Sequence, residues 1–341
     1  MLIKGFFPGS YEEYYPWGEF DGLTVEATPE TPPRLSAILQ VLERQKTFSV
    51  KLSEPEPIRQ DQLQSVHRPD YLNFLSKASS KAKILDIGMP SVFPIGSVHV
   101  SRDLLGFEGL LGTYFFDTSA TIMENTYSAA MESAACALAA AKCAVKGDNL
   151  SLALCRPPGH HAGSSYGGGY CFLNNAAIAS VYLQSAFGKV ALVDIDFHHG
   201  NGSQDIFYET DQVLYVSIHG HPEDYFPYFW GFSSEKGHGP GKGFNYNFPL
   251  REGSSSTYLK TLETATEVVA DYKPHALVLS AGFDTCHEDP IGDFRLHQKD
   301  FESIGRVISK LDRPTIIVLE GGYFIPELGN NFLALMTGLV A

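Results

Sequence analysis

The stretch KVALVDIDFHHGN at 189–201 restricts how this chain can fold more than any other. Val190, Ala191, Leu192 and Val193 form a short apolar run with no polar face. A run that is apolar on both sides suits a strand buried on both faces, as in parallel sheets covered by helices. The run then breaks into Asp194, Asp196, His198 and His199. Carboxylates and imidazoles are costly beside a core unless something pairs with them. A buried strand that ends this way offers ligands at its carboxyl end, where open α/β sheets carry their sites.

The surrounding sequence repeats the pattern. Residues 151–154 predict a strand, and LNNAAIASVYLQSAF predicts a helix stopped by Gly188. A short helix near Ser203–Tyr208 follows the opening run, then a strand, QVLYVSIHG, at 212–220. SSTYLKTLETATEVVADY reads as a helix ended by Pro274, HALVLSAGF (275–283) as a strand, DFESIGRVIS as a helix and PTIIVLEGGY (314–323) as a last strand. Such alternation implies an α/β fold, a three-layer α/β/α arrangement around a mainly parallel central sheet. Upstream, RLSAILQVLERQ and PDYLNFLSKASSK carry helical periodicity, and Pro69 opens the second of them. The Ala-rich segment Asn125–Val145 predicts a buried helix. Residues 1–33 read as loop ordered by aromatic side chains. Residues 86–123 have no clear period, and Gly88, Pro90, Pro94 and Gly96 break the chain there. An irregular stretch of that length is a functional insertion or a contact surface. No internal repeat or linker divides the chain, so one domain over 1–341 is expected.

Composition narrows the function classes. With 44% hydrophobic and 19% charged residues among 341, a large core is available and disorder is not expected. The N-terminus MLIKGFFPGS lacks a signal-peptide core, and no run of about 18 apolar residues occurs. A soluble, cytoplasmic protein without a membrane partner is expected. The five cysteines (Cys136, Cys143, Cys155, Cys171 and Cys286) are odd in number and form no CxxC pair, which predicts reduced structural thiols. A net charge of −14 argues against nucleic acid as a partner and favours cationic substrates, although solubility alone also accounts for it.

Five predicted strands end in polar or glycine-rich sequence: CRPPGHHAG, DIDFHHGNG, SIHGHPEDYF, SAGFDTCHEDP and LEGGYF. In a parallel sheet these ends meet on one rim. Residues two apart in a strand share a face, so Asp194, Asp196 and His198 can point one way. Asp284, from another strand end, completes a set of two carboxylates and one imidazole. Such a set holds a divalent ion such as Zn²⁺ with positions open for water and substrate. Taken singly, either aspartate is more often a helix cap. His160 and His161 follow a rigid Pro157-Pro158-Gly159 turn and suit general base and general acid. Asp194 and Asn201 are available to orient their second nitrogens. Tyr323 follows two glycines that let its phenol swing into the site.

RPPGHHA, VDIDFHHGNG, SAGFD…DP and LEGGY, in this order, resemble the zinc-dependent histone deacetylase superfamily, and most of all its bacterial acetylpolyamine amidohydrolase branch. GGYCFLNNAA, HPEDYFPYFWGFSSEKGHG and the insertion at 86–123 add to that likeness. The resemblance implies an arginase/deacetylase-like fold. It implies zinc on Asp196, His198 and Asp284, tandem histidines His160 and His161, and Tyr323 as the carbonyl-polarising phenol. Tyr170 and Phe226 would line a substrate tunnel, with Gly169 and Ile291 near its mouth and floor. One structural K⁺ would lie around Asp194, Asp196, His198, Ser217 and Ile218, and a second around Phe207, Thr210 and Val213. Many members carry Asp where this chain has Asn201, which leaves open which tandem histidine is base and which is acid.

The implied reaction is removal of an acetyl group from a slim cationic amine, giving acetate and free amine. Acidic residues are then expected at the tunnel mouth, from Glu19 in the N-terminal loop and Asp103, Glu108 and Asp117 in the insertion. The branch implies a homodimer that narrows the entrance. An acetyl-lysine peptide deacetylase, another amidohydrolase and a non-catalytic acetyl-amine binding protein stand as alternatives. A binuclear arginase-type site would need more His and Asp ligands at these strand ends.

Overall fold

The computed structural model describes residues 2–21, 24–85, 88–94 and 101–341. The strands are β1 (Leu2–Phe6), β2 (Glu19–Asp21), β3 (Thr24–Glu26), β4 (Ser49–Ser53), β5 (Leu150–Ala153), β6 (Val190–Asp194), β7 (Val213–Gly220), β8 (Asn245–Leu250), β9 (Ala276–Ala281) and β10 (Thr315–Leu319). The helices are α1 (Pro32–Arg44), α2 (Gln60–Leu63), α3 (Pro69–Leu85), α4 (Phe107–Tyr114), α5 (Thr126–Val145), α6 (Asn175–Phe187), α7 (Asn201–Phe207), α8 (Ser255–Tyr272), α9 (Gln298–Ser309) and α10 (Ile325–Val340). Eight strands form one sheet in the order β4-β1-β5-β10-β9-β6-β7-β8, and every neighbouring pair is parallel. β2 and β3 form a separate antiparallel hairpin.

Strand alternation builds the three layers. Val190 and Leu192 pack with α3, α4, α5 and α6, whereas Ala191 and Val193 pack with α1, α8, α9 and α10. Burying each such Val or Leu contributes about 1.5–3 kcal/mol, so neither face of the sheet can stay open. Helix α5 is apolar and long enough to cross a membrane by length alone, but 67% of its most apolar window is buried against this core. Its alanines let it lie close to α6 and the sheet.

Helix boundaries follow local chemistry. The Asn174 side chain accepts from Ala177 N at 2.8 Å and caps α6, and Gly188 ends that helix at φ +94. Ser254 caps α8, and Lys273 closes it in the left-handed conformation just before Pro274.

Several strands and helices depart from the sequence expectation. The segment 1–33, read as loop, contributes β1 to the sheet and the β2–β3 hairpin. β1 is short and contains Lys4 and Gly5, so it gains its identity from pairing with β4 and β5. β4 and β8 are edge strands with polar residues at alternate positions, which hides the apolar signal. α4 lies in the stretch without a period, where Gly109 and Gly112 dilute the pattern. α10 also lacks a clear sequence signal, because Gly329 and Asn331 interrupt its apolar face. Within the 86–123 insertion, residues 86–87 and 95–100, Gly96 among them, lie outside the described residues.

A buried ion network ties the N-terminal segment to the sheet. Glu30 Oε1 sits 2.9 Å from Arg34 Nη1 and 3.0 Å from Arg156 Nε, and all three side chains are at most 1% exposed. Arg156 also donates to the carbonyls of Tyr11 and Tyr14 at 2.6 Å and stacks over the Tyr14 ring. The segment is thus ordered by a cation as much as by its own aromatics. Glu30→Ala would leave two buried guanidiniums without their shared carboxylate. A loss of about 3–5 kcal/mol in unfolding free energy is expected from such a broken pair, measured by chemical denaturation.

Candidate active site

The five strands whose ends looked polar in sequence are neighbours in the sheet, in the order β5, β10, β9, β6, β7. Because all are parallel, their carboxyl-end loops share one rim. His160 and His161 follow β5, Tyr323 follows β10, Asp284 follows β9, and Asp196 and His198 follow β6.

Asp196 and His198 do not share a strand face as the alternation implied, because β6 stops at Asp194. A tight turn places them instead. Asp196 N donates to Asp194 Oδ1 at 3.2 Å, and His198 N donates to Asp196 Oδ1 at 2.9 Å. Side chains that take up nearby backbone N–H groups stabilise such turns. Phe197 N donates to Asp284 Oδ1 at 2.8 Å and Gly321 N to Asp196 Oδ2 at 2.8 Å, so three loops are stitched together. Ligand atoms of Asp196, His198 and Asp284 all lie within 4.8 Å of one another. His198 Nδ1 is 2.9 Å from Asp284 Oδ2 and 3.5 Å from Asp196 Oδ1. Among the described residues these two carboxylates have only histidines as ion-pair partners. Two buried carboxylates and one imidazole in this arrangement fit a divalent cation. Asp194 stands outside the set, with Oδ2 facing His160 and the Tyr215 hydroxyl.

A second trio, His160, Cys171 and Glu320, is equally close. It does not fit a metal. Glu320 already accepts from Gly159 N at 2.7 Å, His160 N at 3.1 Å and the Ser280 hydroxyl at 2.8 Å. Burial also keeps the Cys171 thiol protonated.

The tandem histidines differ in their partners. His160 Nδ1 lies 3.1 Å from Asp194 Oδ2, and His161 Nδ1 lies 2.7 Å from Asn201 Oδ1. Burial opposes charge on His160, but the carboxylates of Asp196 and Asp194 outweigh it and raise its pKa to about 10. His161 is held well below the usual imidazole range by burial and by the neighbouring His160 and His198. An amide partner cannot offset those effects as a carboxylate does. Tyr323 is buried, which pushes its phenol well above 10 and keeps it a hydrogen-bond donor.

Aromatic walls flank these groups. The Tyr170 ring meets Tyr323 edge to face at 5.8 Å, and the Phe226 ring meets His161 at 5.1 Å and His198 at 6.1 Å. Gly168 and Cys171 exchange backbone hydrogen bonds around Gly169 and Tyr170, both at positive φ (52 and 65). This two-residue turn of the mirror-image type aims Tyr170 at the site and holds a non-glycine residue in a strained conformation. Gly169 packs against the His161 ring, and Ile291 N donates to Asp289.

The expected acidic residues separate. Both Glu19 oxygens lie within 3.0 Å of the Tyr170 hydroxyl, so Glu19 is held beside the Tyr170 ring. Asp117 accepts from Gly169 N at 2.7 Å and Ser119 N at 3.2 Å, and burial raises its pKa to about 6. Glu108, at the start of α4, and Asp103 are exposed. The residues of the two implied K⁺ sites fall into two groups. Asp194 pairs in register with Ser217, beside Ile218 on β7. Phe207, Thr210 and Val213 join α7 to β7, with Thr210 N donating to Phe207 O at 3.3 Å.

Sequence reasoning passed over Arg34, Asp289 and Glu320. Arg34 donates to Gly322 O and Glu320 O at 2.6 Å, and its guanidinium lies 4.6 Å from the Tyr323 ring centre. Glu320 directly follows the apolar strand β10 and could have been found as a charged strand end, and Asp289 as an acid in the polar segment after β9. Arg34 sits in an ordinary helix and left no such signal.

The histone deacetylase domain matches residues 28–339 of the chain. The chain belongs to this family. It is 40% identical to acetylpolyamine amidohydrolase 1 of Pseudomonas aeruginosa over 316 residues, covering 91% of this chain and 90% of that one. It is 39% identical over 281 residues to the acetylpolyamine amidohydrolase of Mycoplana ramosa, covering 80% and 82% of the two chains. The crystal structure of acetylpolyamine aminohydrolase from Burkholderia pseudomallei superposes with a TM-score of 0.93 at 35% identity, covering 99% of each chain. The mainly parallel sheet with helices on both sides is therefore the arginase/deacetylase fold, and deacetylation is the chemistry of this family's rim.

The Asn201–His161 pair gives a pH test. Asn201→Asp would place a carboxylate on His161 Nδ1 and favour its protonated form. If His161 must be neutral to act, the acidic limb of kcat/KM should move up by about one to three pH units, read from a pH–rate profile.

Proposed function

We propose that this chain is a zinc-dependent amidohydrolase that removes acetyl groups from N-acetylated polyamines or similar small cationic amines. The observation that carries it is the metal-ligand trio Asp196, His198 and Asp284 on one rim with His160, His161 and Tyr323. Asp196, His198 and Asp284 would hold the divalent cation, which when bound would supply Lewis-acid activation of water and of the acetyl carbonyl. The chain's own groups do the rest. Tyr323 Oη donates to the carbonyl oxygen as it gains charge. His161, held neutral beside Asn201, takes the water proton at Nε2 and hands it to the leaving amine. His160, paired with Asp194, stays cationic and stabilises the negative charge that builds up next to it. Tyr170 and Phe226 close the tunnel around an extended chain and exclude water.

The small-amine substrate is supported by the relatives named for acetylpolyamines, by the net charge of −14 and by Glu19 at the tunnel wall. Glu19 is the best placed of the acids to meet a distal ammonium. Asp117 and Glu108 are offered for the same role from the insertion. A homodimer through the insertion would cover Val92, Phe93 and Leu104, which are 61%, 45% and 84% exposed. One structural K⁺ on Asp194, Asp196, His198, Ser217 and Ile218, and a second on Phe207, Thr210 and Val213, complete the proposal.

Two measurements test it. Turnover of acetylputrescine, acetylcadaverine and acetylspermidine should exceed that of an acetyl-lysine peptide; faster peptide turnover would move the chain to the protein-deacetylase reading. Tyr323→Phe should cost roughly 10²–10³ in kcat, the usual effect of removing such a donor, and full activity in that variant would remove Tyr323 from the mechanism.

A further inference from the structure

Asp289 is a buried carboxylate, 6% exposed, that neither the metal trio nor the tandem histidines use. It lies on the loop after β9 that also carries Asp284. Its Oδ2 accepts from Tyr323 N at 2.6 Å and Phe324 N at 3.1 Å, and its Oδ1 accepts from Ile291 N at 3.1 Å. Both oxygens are spent on backbone, so Asp289 is not a ligand waiting for a substrate ammonium.

Tyr323 needs such an anchor. It follows Gly321 and Gly322, and Gly322 sits at φ +116, a conformation that glycine takes freely and other residues rarely adopt. Peptides next to two glycines rotate unless outside groups fix them. Arg34 fixes one side, through its bond to Gly322 O and its contact with the Tyr323 ring. Asp289 fixes the other, at the Tyr323 peptide itself.

We infer that Asp289 is a positioning residue for the deacetylation reaction, locking the Tyr323 peptide so that the phenol meets the carbonyl oxygen as it gains charge. The inference rests on Tyr323 being the donor proposed above. A donor contributes to catalysis only when it is already in place, and a displacement of about 1 Å can cost on the order of 100-fold. The competing account is a helix cap. Asp289 stands ahead of α10, whose N-cap residue Phe324 supplies no side-chain bond, and N-terminal N–H groups need acceptors. Loss of a cap lowers stability and depresses activity whatever stands at position 323. A positioning residue acts through the phenol alone.

A double-mutant cycle separates the two accounts. Steady-state kinetics, bound metal per chain and thermal midpoint are measured for Asp289→Asn, Asp289→Ala, Tyr323→Phe and the two double variants. Asp289→Ala should lower kcat roughly 10- to 100-fold with KM and metal content unchanged. Asp289→Asn, which keeps one acceptor oxygen, should fall between it and wild type. On the Tyr323→Phe background neither change should lower kcat further. Equal losses on both backgrounds overturn the inference in favour of the cap and leave Tyr323 as the donor. No loss in either Asp289 variant also overturns it, and if Asp289→Ala does not fold, Asp289→Asn decides alone. Full activity in Tyr323→Phe would instead remove the donor role, and the positioning role with it.

Discussion

Buried carboxylates solvated by backbone N–H groups hold the working end of this molecule together. Asp194, Asp196, Asp284, Asp289 and Glu320 are all at most 6% exposed. An isolated carboxylate in such a place would be very costly. Here each one accepts at least one main-chain N–H, usually from a different loop. Asp284 reaches the β6 loop, Asp196 reaches the β10 loop, Asp289 reaches the β10 loop farther along, and Glu320 reaches the β5 loop. The same bonds that relieve burial therefore fix the distances among Asp196, His198 and Asp284, the tandem histidines and Tyr323.

This arrangement explains why residues that do no chemistry matter near the site. Hydrogen bonds to a carboxylate are stronger than neutral ones, so each cross-link is stiff. The electrostatics also divide the tandem histidines without any change in their depth. His160 faces Asp196 and Asp194, whereas His161 faces Asn201 beside two other imidazoles, and that difference in nearby charge separates them. Outside the rim, Glu30 plays a comparable part, pulling Arg34 and Arg156 together so that the N-terminal segment and the Tyr323 loop share a support.

The sequence was most legible where burial is two-sided. β5, β6, β7, β9 and β10 are entirely buried strands, and each shows an unbroken or nearly unbroken apolar run. The edges were not legible. β4 has no fully buried residue and β8 only two, and β1 gains strand character only from its neighbours. The chemistry-bearing residues stood out because Asp, His and Tyr beside an apolar run demand explanation. Arg34 in α1 gave no comparable sign, since its partners Gly322 and Glu320 are distant in the chain, and neither the left-handed Tyr170 nor the turn that carries Asp196 and His198 shows a periodicity.

By itself the sequence determined that a parallel sheet would gather His160, His161, Asp196, His198, Asp284 and Tyr323 at one set of strand ends. Periodicity and the cost of burying polar groups are local properties, and they suffice for that. The tertiary structure alone decided that β5, β10, β9, β6 and β7 stand side by side, that Asp194 faces His160 while Asp196 lies with His198 and Asp284, and that Asp289 and Arg34 grip the Tyr323 loop from opposite sides. Strand order and hydrogen bonds between distant loops are set by packing across the whole chain, and no window of sequence contains them.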